Sequence, residues 1–319
     1  MSREFDLIGR CFAPLAGPEG LGLLDDAALF TPTPGQDLVI TKDVLTEGIH
    51  FLSGVDPAAL GWKSLMVNLS DLAAKGATPR LYFVGLSAPK DTPDSWFEGF
   101  AEGLRRAQEV GGLTLAGGDS TGSTGPRTIS ITAIGECPGD AMIRRNGATV
   151  GDDIWVSGTL GDAALALDAI LKGRTPDEGL RQRLEQPVAR VALGSQLRGL
   201  ATASADVSDG LIADAGHIGK ASGVRMVIER AALPVSAAAE ERLASEPSLD
   251  RCVWAGGDDY ELVFTAPSFL REKVLAAGTL AGVPVTRIGR VQAGTGVVMV
   301  DRAGMPVQTG AGGYSHFGD

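Results

Sequence analysis

Aspartate is the residue type in this chain with the most potential for chemistry. Its aspartates repeatedly adjoin glycine, serine or the ends of strand-like runs, as at Asp25, Asp26, Asp43, Asp71, Asp119, Asp206, Asp209, Asp258 and Asp259. Two bare carboxylates about 4 Å apart repel each other by roughly 4 kcal/mol at an effective dielectric constant near 20. If several of these groups converge, cations must lie among them, and oxygen ligands favour Mg²⁺. For each aspartate alone, the alternative is an exposed or turn-forming residue.

Asp71 belongs to a predicted helix that organises the first half of the chain. Asp56 is a suitable capping residue, and Pro57 fits the first helical position. Leucines at helical spacing supply a buried stripe, namely Leu65, Leu69 and Leu72. Asn68 and Asp71 are three residues apart on another face, so we expect their side chains to point the same way.

Two further segments of the first half could bring polar groups to a site. Residues 37–43 read as a strand whose last residues, Thr41 to Asp43, emerge at its carboxyl end, and a strand-like run at 28–30 follows the Asp25–Asp26 pair. His50 lies just before the predicted helix. It is either a structural residue or a donor to a phosphate.

A glycine-rich and hydroxyl-rich segment at 117–125 is predicted to be a loop after a short strand. Glycines let main-chain N–H groups approach phosphate closely. Asp119 lies within this segment and would repel phosphate unless a metal ion intervened. The segment therefore indicates a metal-bridged phosphate. Arg144 and Arg145, in a turn further on, are candidates for a direct phosphate contact.

The second half repeats the acidic pattern. A strand delivers Asp206, Ser208 and Asp209 to the start of a helix, a placement that suits a metal ion or phosphate. Its alternative is an ordinary capping sequence. Each half contains a Ser-Asp pair followed by a Gly-Gly-Asp sequence. The two aspartates are 48 residues apart in the first half (Asp71 and Asp119) and 49 apart in the second (Asp209 and Asp258). This similarity suggests that each half presents a pair of acidic loops.

Composition excludes several classes of protein. The chain has 319 residues, 44% of them hydrophobic, and a formal net charge of −11 with a pI near 4.8. An acidic protein attracts neither nucleic-acid backbones nor anionic membranes. The cysteines, Cys11, Cys137 and Cys252, are widely spaced, which favours neither a disulfide framework nor a zinc site. With no signal peptide or long apolar span in the sequence, we expect a cytoplasmic protein.

Periodicity predicts the remaining elements. Strands are expected at 81–86 and 128–136, and helices at 93–110, 161–172 and 178–199. We predict two domains, residues 1–137 and 138–319. The sequence lacks the P-loop, dinucleotide-binding, G-x-S-x-G and protein-kinase motifs, so the common nucleotide folds are not expected.

In order and spacing, these motifs resemble the thiamine-monophosphate kinases over nearly the whole chain. The segments that carry the resemblance are Asp25-Asp26, Thr41 to Asp43, His50-Phe51, Val67 to Ala74, Gly117 to Asp119, Arg145 to Ala148, Asp206 to Gly210, Gly256 to Leu262 and Gly313-Tyr314. The resemblance extends to the wider superfamily of aminoimidazole-ribonucleotide and selenophosphate synthetases. It implies an α+β fold of two domains, with mixed or antiparallel sheets carrying helices on one face. It also implies an ATP site between the domains and a homodimer formed through the N-terminal domains.

The resemblance also implies a role for individual residues. Several Mg²⁺ ions would be held by Asp26, Thr41, Lys42, Asp43, Asp71, Asp119, Asp206 and Asp209. ATP would be bound by Gly118, Asp119, Arg145 and Ser208, and thiamine monophosphate by His50, Asp258 and Tyr314. The implied reaction is in-line transfer of the γ-phosphoryl group of ATP to thiamine monophosphate, the last step in making thiamine diphosphate. It needs no catalytic base, because the acceptor is already an anionic phosphate oxygen.

Three residues depart from the family pattern. Lys42 stands where the family has Ser or Thr, Asp258 where it has Glu, and Leu24 where a Gly precedes the aspartate pair. The alternative functions are another ATP-dependent synthetase of the superfamily and a non-catalytic nucleotide sensor. Cys11 lacks the neighbouring glycines expected around a reactive cysteine of selenophosphate synthesis, which counts against that activity.

Overall fold

A computed structural model describes residues 3–309 and divides the chain into two compact units. The first unit comprises Met1–Leu72 and Ala77–Asp140, and the second comprises Ala73–Gly76 and Ala141–Asp319. The predicted α+β class with mixed sheets is confirmed. The domain boundary predicted at residue 137 stays a prediction. None of the helices within residues 3–309 combines the length and the hydropathy needed to cross a bilayer.

The first unit contains a four-stranded sheet in the order β1-β4-β2-β3. Its strands are β1 (Gln36–Thr46), β2 (Thr78–Pro89), β3 (Thr114–Ser123) and β4 (Thr128–Pro138). β4 is antiparallel to both β1 and β2, whereas β2 and β3 are parallel. Along β4, buried Ile129, Ile131 and Ala133 alternate with half-buried Ser130 and Thr132, so one face of the sheet lies against the core.

The first unit also contains three α-helices within its described residues: α1 (Arg3–Leu7), α2 (Pro57–Ala74, whose last two residues group with the second unit) and α3 (Asp94–Gly111). The predicted cap of α2 is confirmed, since the Asp56 carboxylate accepts the N–H of Ala59 at 3.2 Å. Asn68 is completely buried and donates to the Ser64 carbonyl oxygen at 3.1 Å, whereas Asp71 is half-buried. Helix α2 is enclosed on almost all sides because packing overrides its mixed polarity.

Glycines allow α2 and α3 to touch backbone to backbone. A β-carbon at Gly61 would lie 2.1 Å from the Phe100 carbonyl oxygen, and one at Gly103 would lie 2.0 Å from the Ala58 carbonyl oxygen. Atoms cannot approach so closely, so any larger residue must push the helices apart. This contact fixes the position of the helix that carries Asp71.

The second unit contains a six-stranded sheet in the order β10-β7-β9-β5-β8-β6. Its strands are β5 (Asp153–Ser157), β6 (Ala203–Asp206), β7 (Arg225–Glu229), β8 (Leu262–Ala266), β9 (Val285–Gln292) and β10 (Gly296–Val300). β10 and β7 are parallel and the other pairs are antiparallel. Every residue of β5, β6 and β8 is buried, so these three strands form the centre of the unit.

Helices cover this second sheet: α4 (Asp162–Leu171), α5 (Glu178–Glu185), α6 (Val191–Gln196), α7 (Leu211–Ser222), α8 (Ala237–Ser245), α9 (Cys252–Ala255) and α10 (Arg271–Ala281). The helices predicted at 93–110 and 161–172 are confirmed as α3 and α4. The single helix predicted at 178–199 is wrong. Pro187 separates α5 from α6, because proline lacks an N–H donor and restricts the residue before it.

We predict that Gly103→Ala destabilises the protein by about 1–3 kcal/mol, because the added methyl group overlaps the backbone of α2. Gly216→Ala in α7 is the matched control. A β-carbon there meets only a methyl group of Val297, at 3.5 Å, so helix propensity should leave stability unchanged or raised. Urea unfolding of the two variants measures the difference, and equal midpoints would contradict the helix contact.

Candidate functional site

In the first unit, Asp71 is bound by a residue from the neighbouring sheet. The Thr41 hydroxyl donates a hydrogen bond to Asp71 Oδ2. Thr41 and Asp43 alternate along β1 with Lys42, and they share the face that carries buried Val39. The expectation that Thr41 to Asp43 lie at a strand end is wrong, since β1 continues to Thr46. These residues reach the interior by strand alternation.

Lys42 lies on the opposite face of β1 from Thr41 and Asp43. Its Nζ donates to the Ser130 hydroxyl on β4. The Lys42 side chain therefore does not join Thr41, Asp43 and Asp71. A contact between a metal ion and the main chain of Lys42 stays a prediction.

Gly118 and Asp119 lie within β3, so the loop conformation predicted for 117–125 is wrong over 117–123, while the predicted phosphate contact stays a prediction. Gly118 pairs with Val84, and a β-carbon on it would lie 2.2 Å from the Val84 carbonyl oxygen. The glycine is therefore required for close approach of two strands. Asp119 is exposed beside it, which leaves its carboxylate open to a ligand.

The Asp25–Asp26 pair lies in an exposed bend rather than before a strand. The Asp25 carboxylate accepts the N–H of Asp26 at 2.8 Å, and residues 28–30 form no strand. This local hydrogen bond is the one expected of an acidic turn. The structure does not show Asp26 bound to the other predicted metal-binding residues.

His50 lies in a turn after β1 and is half-buried. Its Nδ1 accepts the N–H of Thr46 at 3.0 Å. A neutral imidazole whose Nδ1 accepts must carry its hydrogen on Nε2. His50 therefore presents a hydrogen-bond donor, as a phosphate ligand requires.

In the second unit, two acidic segments are joined by main-chain hydrogen bonds. Asp258 N–H donates to the Ser208 carbonyl oxygen at 2.9 Å, and Tyr260 N–H donates to the Val207 carbonyl oxygen at 2.8 Å. A β-carbon at Gly257 would lie 2.4 Å from the Ser208 carbonyl oxygen, so this glycine permits the approach. We call residues 206–210 the first acidic loop and residues 256–261 the second acidic loop.

Asp214, on α7, holds the first acidic loop in place and was missed by the sequence analysis. Its Oδ2 accepts the N–H groups of Ser208 and Asp209, each at 3.1 Å. Burial, together with the charges of Asp206 and Asp209, raises the pKa of Asp214 to about 8. The loop therefore places three carboxylates close together, and one of them holds a proton near neutral pH.

Within residues 3–309, a single set of three potential ligand side chains has its ligand atoms within 4.8 Å of one another: Asp209, Asp214 and His217. No such set includes Asp26, Asp43, Asp71 or Asp119 within those residues. Only Asp209 of this set was expected to bind metal. The signal in the sequence was an Asp-x-x-His spacing, which places Asp214 and His217 on one face of α7.

The two aspartates of the second acidic loop, Asp258 and Asp259, differ in burial and in hydrogen-bond partners. The buried Asp259 carboxylate accepts the N–H of Gly161 at 2.9 and 3.0 Å, at the start of α4, and burial raises its pKa well above the usual range. Asp258 is half-buried and accepts the Tyr260 hydroxyl at 2.8 Å. Asp258 is therefore the more exposed member of the pair.

Glu261 closes the second acidic loop and also escaped the sequence analysis. It is completely buried, and its carboxylate accepts from Arg183 at 2.7 Å, from Arg190 at 2.5 and 2.7 Å, and from the Ser157 hydroxyl at 2.6 Å. A buried carboxylate with several charged donors resists displacement. Glu261 therefore fixes the base of the loop.

The other predicted site residues are less constrained. Ser208 is half-buried within the first acidic loop. Arg145 is exposed in a bend, and its carbonyl oxygen accepts a hydrogen bond from the Ser222 hydroxyl at 3.2 Å. Tyr314 lies outside the described residues. Its expected role in substrate binding stays a prediction.

A mostly apolar cavity of about 330 Å³ lies in the first unit, beside the end of β3. Phe12 and Phe97 contribute aromatic rings to its lining, and Lys90 and Gly122 lie at the ends of the strands next to it. Ser120, the residue that follows Asp119 along β3, also lines the cavity. Such a cavity suits a flat ring system.

Family models match both halves of the chain. The model of the AIR synthase related protein N-terminal domain matches residues 24–137, and that of the C-terminal domain matches residues 149–302. Together these ranges cover most of the described chain.

Individual proteins extend the match. The thiamine-monophosphate kinase of Caulobacter vibrioides is 41% identical over 300 residues, which are 92% of this chain and 85% of that protein. The crystal structure of the Stenotrophomonas maltophilia thiamine-monophosphate kinase is 42% identical with a TM-score of 0.83, covering 90% of this chain and 93% of that one.

A structure of AaThiL complexed with AMPPCP and TMP is 35% identical, with a TM-score of 0.80 over 92% of this chain and 91% of that one. The resemblance read from the sequence is confirmed. The chain belongs to the AIR synthase related proteins and, among them, to the thiamine-monophosphate kinase family.

Proposed function

We propose that this chain transfers the γ-phosphoryl group of ATP to thiamine monophosphate, producing thiamine diphosphate and ADP. The observation that carries the proposal is the 35% identity, over 92% of the chain, to a protein complexed with AMPPCP and TMP. AMPPCP is a non-hydrolysable analogue of ATP, so that complex pairs a nucleotide with the expected acceptor. The acidic loops and the His50 donor give this chain groups of the kind that such ligands require.

The chemistry asks the protein for position and charge balance. The attacking phosphate oxygen is already ionised, so no side chain needs to remove a proton, and no covalent intermediate with the protein is required. Both substrates are anions, and the candidate site adds further carboxylates. Repulsion must therefore be offset by cations.

The residues present fit magnesium. Asp206, Asp209 and Asp214 supply carboxylate oxygens, and a cation among them would offset the repulsion that, after burial, contributes to the raised pKa of Asp214. Thr41 and Asp71 supply a second oxygen pair. When bound, Mg²⁺ would offset the negative charge of the transferring group. His217 adds a nitrogen ligand at the edge of this oxygen set.

The remaining roles follow the family pattern residue by residue. The proposed metal-binding positions are Asp26, Thr41, Lys42 through its main chain, Asp43, Asp71, Asp119, Asp206 and Asp209. Gly118, Asp119, Arg145 and Ser208 bind ATP. His50 Nε2 donates to the phosphate of thiamine monophosphate. Asp258 and Tyr314 hold the other parts of that substrate.

We also propose a homodimer. The outer face of β1, an edge strand, carries Leu38, Ile40 and Val44, which are 41%, 61% and 45% exposed. An exposed aliphatic strip on an edge strand favours pairing with a second copy. A cytoplasmic location is proposed as well, since it provides ATP and suits the free thiols of Cys11, Cys137 and Cys252.

We predict that Asp71→Asn and Asp209→Asn each lower turnover by at least about a hundredfold with the fold intact, because each removes a charged metal ligand. Asp91→Asn, the same change on an exposed turn, is the control and should retain activity. ADP release is measured at saturating Mg²⁺ with and without thiamine monophosphate. Near-normal rates in both site variants would contradict the metal sites. ADP release that ignores thiamine monophosphate would indicate another synthetase, and no release would indicate a sensor.

The raised pKa of Asp214 predicts that the free energy of unfolding depends on pH. Its folded pKa of about 8 exceeds the usual aspartate value, so the folded state binds a proton more tightly than the unfolded state. The associated stability is full below about pH 4 and is lost as the pH rises through about 8. We expect the melting temperature of the magnesium-free protein to fall between about pH 6 and 8 more steeply than that of Asp214→Asn. Parallel curves would contradict this assignment, and added Mg²⁺ should reduce the difference.

We predict that Ile40→Glu converts the dimer into a monomer, because it places a charge in the aliphatic strip of β1. Leu280→Glu is the control, since Leu280 is 76% exposed on α10 in the second unit. Sedimentation equilibrium gives the mass of each variant. A dimeric Ile40→Glu protein would exclude this face as the interface.

A further inference from the structure

Asp258 and Tyr260 share an unusual backbone conformation. Their φ angles are 68° and 52°, in the left-handed region that few residues other than glycine adopt. For a bulky side chain such as tyrosine this conformation is strained. Strain of this kind persists only where the surrounding structure enforces it, and it concentrates at functional sites.

The neighbouring hydrogen bonds show what enforces it. The N–H groups of Asp258 and Tyr260 donate to the carbonyl oxygens of Ser208 and Val207, and the Asp259 carboxylate is held at the start of α4 by Gly161. Asp259 is therefore committed to the interior. The side chains on either side of it, Asp258 and Tyr260, meet each other instead.

The contact between them is a direct hydrogen bond. The Tyr260 hydroxyl donates to Asp258 Oδ1 at 2.8 Å. Tyr260 is 6% exposed, so its ring is immobilised by packing, whereas Asp258 is half-buried. A rigid donor bound to a short, rotatable carboxylate selects one of its rotamers.

We propose that Tyr260 is a positioning residue that aims the Asp258 carboxylate at the cationic, amine-bearing ring portion of thiamine monophosphate, an inference that rests on the function proposed above. The phosphate end of that substrate is anionic and would be repelled by Asp258. The positively charged thiazolium and the amino group on the pyrimidine are the parts that attract a carboxylate. This contact lies away from the transferred phosphoryl group. It therefore contributes equally to binding the substrate and the transition state and sets KM rather than kcat.

The test is the Tyr260→Phe variant, which removes the hydroxyl and keeps the ring. We expect KM for thiamine monophosphate to rise about tenfold, while kcat and KM for ATP change by less than about twofold. Tyr82→Phe is the matched control. It also removes a buried hydroxyl, one that donates to Gln108 Oε1 at 3.0 Å in the first unit, and should leave both KM values unchanged.

A double-mutant cycle separates positioning from a general structural effect. If Tyr260 acts through Asp258, Tyr260→Phe has no further effect on KM in an Asp258→Ala background. An equal rise in that background, or an unchanged KM in the single variant, overturns the proposal. Asp258→Asn keeps an acceptor for Tyr260 but removes the charge. Calorimetry with thiamine monophosphate should show its affinity reduced, and an unchanged affinity also overturns the proposal.

The outcomes distinguish this inference from the function on which it rests. If the wild-type protein neither binds nor phosphorylates thiamine monophosphate, the proposed function fails and the inference fails with it. If the wild-type protein is active and the Tyr260→Phe protein has the same KM, only the positioning role is excluded.

Discussion

Repulsion among carboxylates is the constraint on which the second unit depends. Burial, reinforced by the charges of Asp206 and Asp209, raises the pKa of Asp214 to about 8. At separations near 4 Å, each pair of carboxylates costs roughly 4 kcal/mol at an effective dielectric constant near 20. This repulsion is offset by the two main-chain N–H groups that donate to the Asp214 carboxylate and by a proton on that carboxylate. The proposed divalent cation would offset the same repulsion, so the cost of bringing these carboxylates together would favour cation binding.

The same unit holds its two acidic loops together through main-chain hydrogen bonds, without using the side chains proposed to bind ligands. Three main-chain bonds connect Val207 and Ser208 to Asp258, Tyr260 and Glu261, and they span 2.7 to 2.9 Å. Gly210 contributes a second close approach, because a β-carbon there would lie 2.9 Å from the carbonyl carbon of Ala255. Glu261 is then held by two arginines at the base. The carboxylates of Asp209 and Asp258 are therefore carried on a backbone that is rigid before any ligand arrives.

Helices and strands could be predicted from the periodicity of the sequence, whereas contacts between residues of different elements could not. The leucine spacing of α2, the alternation of β4 and the α4 pattern gave the correct element types. The segment around Gly118 was predicted to be a loop because a glycine that permits close strand packing has the same sequence signature as a loop glycine. Asp214 was missed because its importance lies in two hydrogen bonds to a loop five and six residues earlier. Such a contact depends on how the loop turns back onto α7.

The structure gives a physical reason why the three departures from the family pattern are tolerated. Lys42 points to the opposite face of β1 from Thr41, so its side chain does not lie beside Thr41 and Asp71 and need not resemble Ser or Thr there. Leu24 has an ordinary φ of −106° and is 93% exposed, so no glycine is needed there.

Asp258 is the most informative of the three. Its left-handed φ of 68° suits aspartate better than glutamate, because short polar side chains tolerate that region more readily. What the shorter side chain loses in reach is offset by orientation, since Tyr260 holds one of its oxygens at 2.8 Å. The substitution therefore exchanges a longer, more mobile carboxylate for a shorter one whose direction is set by a packed ring.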